Sequence, residues 1–271
     1  MSDDKDAVCR EVVEKLKQTR KYRWTCDATL RRVAAWAAAR HDAPKAALKS
    51  AKRKLHQVYG AYVTPGDLER IERLIDAIPA GATEEALGAA CRAILECHAS
   101  TRERLPILEE AYLVLADATG PLTRVLDVAC GLNPFALPWL DLPRDAVYLA
   151  NDIDSRLVAA VNRFLARLGR APTAECRDVL VDPPDMEVDV ALLLKTAPCL
   201  ERQEKGAVLR LLRRLRARHV VVSFPLQSLG GRNKGMAGHY GRFMEGLLGE
   251  LGVMARQLEF ATEVFYVFRS P

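Results

Sequence analysis

A short apolar segment that ends in a carboxylate and a tight turn is the part of this sequence best suited to hold a ligand. Residues 125–134 read Val-Leu-Asp-Val-Ala-Cys-Gly-Leu-Asn-Pro, so Asp127 and Gly131 follow a predicted strand. A second apolar segment, Val147–Ala150, is followed closely by Asp152. In a nucleotide-binding fold, a carboxylate in this position accepts hydrogen bonds from a ribose. The two strand ends therefore predict one nucleoside pocket.

The glycine content of the turn indicates which nucleoside ligand fits. A dinucleotide fingerprint has three glycines, which allow the backbone to approach a pyrophosphate closely. This turn contains only Gly131. S-adenosylmethionine has no pyrophosphate and therefore fits better than a dinucleotide. An alternative stays open from these residues alone, namely that Asp127 only caps neighbouring amides.

The elements that must position these residues are those of an α/β domain. From residue 122 onward, short β-branched or apolar segments alternate with helical ones, which predicts a parallel sheet. The predicted strands are Arg124–Ala129, Ala146–Asn151, Glu187–Leu194 and His219–Phe224, followed by an antiparallel hairpin of Met254–Phe260 and Glu263–Arg269. The predicted connecting helices are Pro134–Leu140, Ser155–Leu168 and Glu201–Arg216. This is the Rossmann-like architecture of class I S-adenosylmethionine-dependent methyltransferases.

Further polar residues fall at the predicted carboxyl ends of strands, where an open α/β sheet binds its ligands. Asp178 follows a further expected strand, the third in order along the chain, and residues 195–201 follow Glu187–Leu194, which is then the fourth. Asp178 or a neighbouring amide could read the edge of an adenine, although a helix cap is an equally good interpretation.

The first hundred residues have helical periodicity and a strong positive charge. The segment from Lys15 to His56 contains thirteen basic and two acidic residues, which gives it a net charge of +11. The whole chain has a net charge of +5, so the rest of the chain carries −6. Such asymmetry indicates contact with a polyanion, because neutralising phosphates releases counterions. We expect a basic helical RNA-binding domain over residues 1–105, with Lys49, Lys52, Arg53 and Lys54 among its contacts, and a methyltransferase domain over 106–271. A solvated helical surface is the alternative.

Composition restricts the remaining possibilities. With 271 residues, 49% of them hydrophobic, the chain can form two domains with a real core. The N-terminus has no apolar signal segment and no later segment is long enough to span a bilayer, so we expect a cytoplasmic protein, and a monomer. The seven cysteines include no Cys-x-x-Cys pair, so neither a zinc site nor a disulfide framework is indicated, and we expect no metal.

Four motifs in fixed order resemble those of one enzyme family. They are His98-Ala-Ser-Thr-Arg-Glu-Arg-Leu, Asp127-Val-Ala-Cys-Gly-Leu-Asn-Pro, Leu193-Leu-Lys-Thr-Ala-Pro-Cys-Leu-Glu and Ser223-Phe-Pro-Leu-Gln-Ser-Leu-Gly-Gly-Arg-Asn-Lys-Gly-Met. The chain resembles the aminoglycoside-resistance methyltransferases that modify N7 of guanine(1405) in 16S ribosomal RNA of the 30S subunit. The similarity extends from about Lys21 to the C-terminal Glu263-Val-Phe-Tyr-Val. It implies S-adenosyl-L-methionine as the cofactor and drug resistance as the consequence.

The resemblance also implies which residues contact the cofactor. They are Tyr62, His98, Ala99, Ser100, Arg104, Ala129, Asp152, Asp178, Val179, Leu194 and Gln203. Arg104 can pair with the methionine carboxylate, Asp152 can accept from both ribose hydroxyls, and Leu194 can pack against the adenine. Position 62 is Tyr where relatives often have Phe, and position 179 is Val where some have Leu; both changes preserve an apolar wall.

Guanine N7 carries an in-plane lone pair and no proton, so methyl transfer to it requires positioning and no general base. We expect the guanine to flip out of its helix and stack on an aromatic or apolar surface. Lys195 could donate to its O6 and Glu201 could accept from its N1–H or amine, unless these two residues pair with each other. Arg232 and Lys234, in the glycine-rich segment 230–236, could clamp the phosphate backbone, although a plain surface loop is the alternative.

Two other functions remain open from the sequence. Cys199 follows the fourth strand, where cytosine-C5 methyltransferases keep their nucleophile. The chain could also be a non-catalytic ribosome-binding module that keeps the pocket without the chemistry.

Overall fold

The computed structural model describes residues 2–58, 64–226 and 236–271. The helices are α1 (Ser2–Lys17), α2 (Asp27–Ala38), α3 (Pro44–Val58), α4 (Pro65–Asp76), α5 (Glu84–Leu95), α6 (Ala99–Arg102), α7 (Leu108–Thr119), α8 (Ser155–Arg167), α9 (Ala197–Gln203), α10 (Ala207–Leu212) and α11 (Met236–Leu251). Short 3-10 helices cover Leu105–Ile107 and Asn133–Trp139. The strands are β1 (Arg124–Asp127), β2 (Val147–Asp152), β3 (Ala174–Cys176), β4 (Glu187–Leu194), β5 (Arg216–Pro225), β6 (Ala255–Glu259) and β7 (Glu263–Arg269).

The described strands form a seven-stranded sheet in the order β3-β2-β1-β4-β5-β7-β6. The strands from β3 to β5 pair in parallel, whereas β7 pairs antiparallel with both β5 and β6. Strands β2 and β3 lie on one side of β1, whereas β4 and β5 lie on the other, so the strand order reverses between β1 and β4. The crevice at such a reversal is where α/β sheets bind ligands. This is the class I methyltransferase fold that the sequence predicted, closed by the predicted C-terminal hairpin.

Helix α8 shows how the sequence sets the local structure beside this crevice. The Asp154 carboxylate caps the helix by accepting hydrogen bonds from the amides of Arg156 and Leu157. Leu157, Val161 and Phe164 then recur at helical spacing, and all three are buried. They hold α8 against the sheet, with its N-terminus at the carboxyl end of β2.

The helices before β1 divide between two hydrophobic cores. Residues from Val8 to Leu55, in α1, α2 and α3, form one cluster. Residues from Leu68 to Cys91, in α4 and α5, pack into the core of the sheet together with α7 and α8. The hydrophobic packing thus changes between residues 55 and 68, and a domain division at residue 105 stays a prediction. No described helix combines the length and apolarity needed to cross a bilayer.

Most predicted elements match the observed ones within a few residues, but the predicted helix Glu201–Arg216 is wrong. The chain forms α9 and then α10 over this region, and β5 begins at Arg216. The break covers residues 204–206: Glu204 is extended (φ −153°), and Gly206, with a left-handed φ of 76°, precedes α10. The apolar periodicity of Val208, Leu211 and Leu212 was real, but it belongs to α10 alone.

Candidate active site

The turn after β1 is closed by hydrogen bonds to the end of β2. The amide of Ala129 donates to the Asn151 side chain (3.1 Å), the amide of Cys130 to the Asn151 carbonyl (2.8 Å), and the amide of Gly131 to Asp152 Oδ2 (3.0 Å). Ala129 and Gly131 have φ values of 49° and 52°. Because these three amides already have partners, the turn does not present them to a phosphate. This geometry disfavours a dinucleotide and fits a nucleoside cofactor without a pyrophosphate.

Two buried carboxylates lie under this turn. Asp152 is 4% exposed, and its other oxygen, Oδ1, accepts from the amide of Asp154 (3.0 Å). Burial raises the pKa of Asp152 to about 6. Asp127 accepts from Tyr148 Oη (2.6 Å) and Asn133 Nδ2 (2.9 Å), and burial raises its pKa to about 7. Asp127 therefore supports the interior, and Asp152 borders the cleft.

Asp178 is held from the N-terminal helices. Its Oδ2 accepts from Thr29 Oγ1 and from Arg32 Nε, both at 2.8 Å, and its Oδ1 accepts from the amide of Leu180 at 3.0 Å. Arg32 also donates through Nη2 to Gln203 Oε1 (2.7 Å). The helix-cap interpretation of Asp178 is wrong, because a turn and no helix follows it, and the bond from Leu180 closes that turn. The larger part of its bonding fixes the carboxylate at the edge of the cleft.

These groups line one cleft at the carboxyl ends of β1, β2 and β4. Five predicted cofactor residues share it: Ala129, Asp152, Asp178, Val179 and Gln203. Thr196, Cys199 and Leu200 also line it and belong to the segment 195–201 that the sequence placed at a strand end, whereas Arg32, Val58, Ile153 and Arg177 were missed. Several of these lie one or two positions from a predicted residue, so proximity in sequence was the available signal. Arg32 had no such signal.

Arg104 lies at the centre of a buried network. The guanidinium, 2% exposed, donates to both carboxylate oxygens of Glu263 (2.9 and 2.6 Å) and to Asn133 Oδ1 (2.8 Å). Glu263 is fully buried, also accepts from Ser223 Oγ (2.5 Å), and its pKa is held below the usual value because Arg104 and Lys195 offset the cost of burial. Three of the five guanidinium N–H groups are thereby used. The side chain is only 3% exposed, and a bond from Arg104 to a ligand carboxylate stays a prediction.

Lys195 is buried and does not lie on the rim of the cleft. Its Nζ donates to the Ser100 carbonyl (3.0 Å) and to Glu103 Oε2 (2.9 Å), and its side chain is 6% exposed. Its backbone has a left-handed φ of 56°, fixed by hydrogen bonds from its amide to Ser223. Such a conformation costs about 1–3 kcal/mol and is typical of functional sites. Lys195 therefore supports the predicted cofactor segment His98–Ser100 from below.

Two further predicted cofactor residues, His98 and Leu194, also lie in or near the segment His98–Ser100. His98 caps α6 by accepting from the amide of Ser100 (3.3 Å), which also orders Ala99. Leu194 is half-buried and packs against the core of the sheet next to the cleft.

Glu201 serves as a helix cap. Its two carboxylate oxygens accept hydrogen bonds from the amides of Gly206 and Val208 at 2.8 Å each, at the beginning of α10. Glu201 and Lys195 have separate partners, so the expectation that they might pair with each other is wrong. Contact of Glu201 with a guanine stays a prediction.

Beyond α9 lies an aromatic cavity of about 320 Å³. It is lined by Pro198, Glu201, Arg202, Phe224, His239, Tyr240 and Phe243. The rings of Phe224 and Tyr240 stack at 4.7 Å between centroids. Ligand pockets occupy roughly 300–1,000 Å³, so this cavity can hold a planar base.

Comparison with known proteins identifies the family. Residues 18–267 match the model of the family described as ribosomal RNA methyltransferase (FmrO). The chain belongs to the FmrO ribosomal RNA methyltransferase family. A protein of Micromonospora echinospora named 16S rRNA (guanine(1405)-N(7))-methyltransferase is 39% identical over 263 residues, 96% of each chain, and a protein of the same name from Micromonospora rosea is 37% identical over 95% of each. The structure is similar to that of the 16S rRNA methyltransferase RmtF in complex with S-adenosyl-L-homocysteine, with a TM-score of 0.84, 35% identity and coverage of 97% of this chain and 98% of that one.

The basic surface of this FmrO family member is concentrated on α3. Lys49 and Arg53 are exposed and Lys52 is half-buried. Lys54 instead donates through Nζ to the Gln203 carbonyl (2.7 Å) and lies over the Trp36 ring. Of the four predicted RNA contacts on α3, Lys54 is thus the one with an established intramolecular role. The predicted residues Tyr62, Arg232 and Lys234 lie outside the described residues.

Proposed function

We propose that this chain transfers a methyl group from S-adenosyl-L-methionine to N7 of guanine(1405) of 16S ribosomal RNA, in the assembled 30S subunit, and thereby confers aminoglycoside resistance. The observation that carries the proposal is the shared name of the relatives, which match nearly the full length of the chain at 37–39% identity. The cleft supports it independently, because its turn amides are already bonded and its open edge is bordered by a carboxylate.

The chain holds the cofactor at three points. The Asp152 carboxylate accepts from the ribose hydroxyls, Val179 and Leu200 pack against the adenine, and the two remaining N–H donors of Arg104 bind the methionine carboxylate. When bound, the cofactor supplies an electrophilic methyl group on a sulfonium. His98, as the cap of α6, and Lys195, through the Ser100 carbonyl, order the segment next to that end.

The aromatic cavity receives the target base. A guanine flipped out of its helix enters between α9 and α11 and stacks on Tyr240, while Arg202 lies at the rim close to the sugar and phosphate. The base thus comes to the carboxyl ends of β4 and β5, on the side of the cleft opposite the adenine. Catalysis consists of positioning, since N7 carries no proton that a base must remove.

The direct test is to incubate the protein with 30S subunits and S-adenosylmethionine carrying a labelled methyl group, and to map the modified base. We expect one label per subunit at N7 of guanine(1405). Label at another base, or at another atom of that guanine, would refute the assignment. A folded protein that binds the cofactor and transfers no label would instead favour a non-catalytic ribosome-binding module.

A cytosine-C5 activity is the second candidate, because Cys199 lines the cofactor cleft. Its Sγ accepts a hydrogen bond from Arg202 Nη2 (3.4 Å). The variant Cys199→Ala separates the two reactions. Covalent catalysis on cytosine would be abolished in this variant, whereas transfer to guanine N7 should be largely preserved.

A further inference from the structure

The cofactor cleft is completed by the N-terminal helices. Thr29 is fully buried and Arg32 four-fifths buried, and both donate from α2 to the same oxygen of Asp178. Arg32 also donates to the side chain of Gln203 at the end of α9. One guanidinium thereby connects two residues of the cleft that are 25 positions apart in the sequence. Its side chain is the point where the basic helices meet the cleft wall.

A second set of contacts connects the same two regions through the backbone. The amide of Cys26 donates to the Ile153 carbonyl (2.7 Å), and the amide of Ser155 donates to the Trp24 carbonyl (2.8 Å). These bonds enclose the antiparallel bridge between Thr25 and Asp154. The segment that precedes α2 is therefore fixed directly to the residues that follow the ribose carboxylate, Asp152.

The third contact starts from the helix that carries the exposed basic residues. Lys54 of α3 donates to the carbonyl of Gln203, the residue whose side chain bonds Arg32. Burial lowers the pKa of Lys54, in keeping with a position inside this interface. Lys49 and Arg53 lie on the same helix and are exposed. Helix α3 thus contacts the cleft wall through Lys54 and exposes the basic side chains of Lys49 and Arg53 to solvent.

We propose that Arg32 is a positioning residue that couples cofactor binding to RNA binding through its bonds to Asp178 and Gln203. The proposal rests on the proposed function for the identity of the RNA. A cofactor that packs against Asp178 and Gln203 fixes one side of the interface, and an RNA that binds α2 and α3 fixes the other. The bonds of Arg32 exist before either ligand binds, and a ligand that binds on one side stabilises the interface that the other ligand also contacts. Each ligand therefore increases the affinity for the other by the same factor.

The test uses S-adenosylhomocysteine as the probe, because it occupies the cleft without turnover. Its affinity is measured by calorimetry in the absence of RNA, and the affinity for 30S subunits is measured with and without saturating S-adenosylhomocysteine. For the wild type we expect 30S binding to tighten with the ligand by a factor within the usual range of allosteric coupling, roughly 5–150-fold. In Arg32→Ala the affinity for S-adenosylhomocysteine should fall about tenfold, the lower end of the effect of losing a group that orients a ligand-binding residue, and the coupling factor should approach one.

Arg31 provides the matched control. It lies next to Arg32 on α2, its side chain is 73% exposed, and it forms an ion pair with Asp27 at 3.8 Å. Arg31→Ala removes the same charge from the same helix, so any general loss of attraction for RNA should appear in both variants. The affinity for S-adenosylhomocysteine and the coupling factor should nevertheless keep their wild-type values in Arg31→Ala.

The conservative variant Arg32→Lys tests the proposal even if the Arg32→Ala protein does not fold. A lysine can pair with Asp178 but lacks the fork that reaches Gln203 at the same time. Both readouts should therefore lie between those of the wild type and of Arg32→Ala, with a thermal unfolding transition close to that of the wild type. Wild-type values in folded Arg32→Lys and Arg32→Ala, or a wild-type coupling factor of one, would overturn the proposal. Failure of the proposed function would appear separately, as absence of label on the 30S subunit, while the RNA-free calorimetry still tests Arg32.

Discussion

Replacing Asp152 with Asn tests the centre of the cleft. The wild-type carboxylate accepts from the amides of Gly131 and Asp154 at 3.0 Å each and directs its remaining lone pairs at the cleft. An Asn side chain keeps one oxygen and turns its NH₂ group towards the other amide, so one buried donor loses its partner, at a cost of about 1–3 kcal/mol of stability. The lost bonds to the ribose weaken cofactor binding by about 1.5–3 kcal/mol, which is roughly 10–150-fold in Kd. The Ala variant would leave both amides unpaired and is the less informative change.

The assay is calorimetry with S-adenosylhomocysteine at pH 8, with thermal unfolding as the check on folding. Asp154→Asn is the matched control, because Asp154 caps α8 and Asn caps helices equally well, so the affinity should be unchanged. Wild-type affinity in a folded Asp152→Asn protein would show that the ribose binds elsewhere.

Because the pKa of Asp152 is raised, cofactor affinity and protein stability should both depend on pH near neutrality. The charged acceptor exists above a pKa of about 6, so wild-type affinity for the cofactor should decrease as the pH falls from 8 through 6, and Asp152→Asn should flatten this decrease. Stability should follow the opposite trend for this group. Its folded pKa exceeds the ordinary value of about 3.9, so its contribution favours the folded state at low pH and is lost as the pH rises through about 6. An affinity that is constant over this interval would contradict the assigned role.

Three further predictions concern the groups around the cleft. Glu263→Gln should destabilise the protein by about 3–5 kcal/mol in thermal or denaturant unfolding, because it leaves buried Arg104 without its charged partner; a midpoint equal to that of the wild type would show that Asn133 alone satisfies the guanidinium. Reversing the charges of Lys49 and Arg53 should reduce the log–log salt slope of 30S binding by about 0.7–0.9 per lost phosphate contact, with S-adenosylhomocysteine affinity unchanged, and an unaltered slope would exclude this face from RNA contact. Lys195→Ala should weaken cofactor binding about tenfold, since it releases the Ser100 carbonyl, and should lower single-turnover methylation of 30S; wild-type values of both would remove Lys195 from the site.

The sequence predicted the sheet well because strand signals are local. Strands β4 and β7 have the predicted bounds, Glu187–Leu194 and Glu263–Arg269, since each contains a continuous apolar segment of five residues, 190–194 in β4 and 264–268 in β7. The helix predicted after β4 failed because two short helices in succession share one apolar periodicity. Three residues separate them, including the extended Glu204 and the left-handed Gly206, and a glycine inside a helical pattern does not by itself reveal its φ.

Residues of the candidate site could be predicted where they lie at strand ends. They could not be predicted where they depend on hydrogen bonds between residues far apart in the sequence. Asp152 follows from its position after β2, whereas Arg32 and Glu263 act through partners 146 and 159 residues away. No periodicity connects such residues. One signal existed for Glu263, because it is a charged residue at the beginning of an otherwise apolar strand and is fully buried there. A buried carboxylate requires a cationic partner, and that requirement could have directed attention to Arg104.

The position of β7 has a consequence for the order in which the protein can fold. It follows all the other described strands in the sequence, yet it occupies an internal place in the sheet, between β5 and β6. Until it inserts, β5 is an unpaired sheet edge, and Arg104 lacks the carboxylate that its burial requires. The buried network around Arg104 can therefore form only after β7 has paired with β5. Deletion of β7 should accordingly be as damaging as changes in the cleft itself.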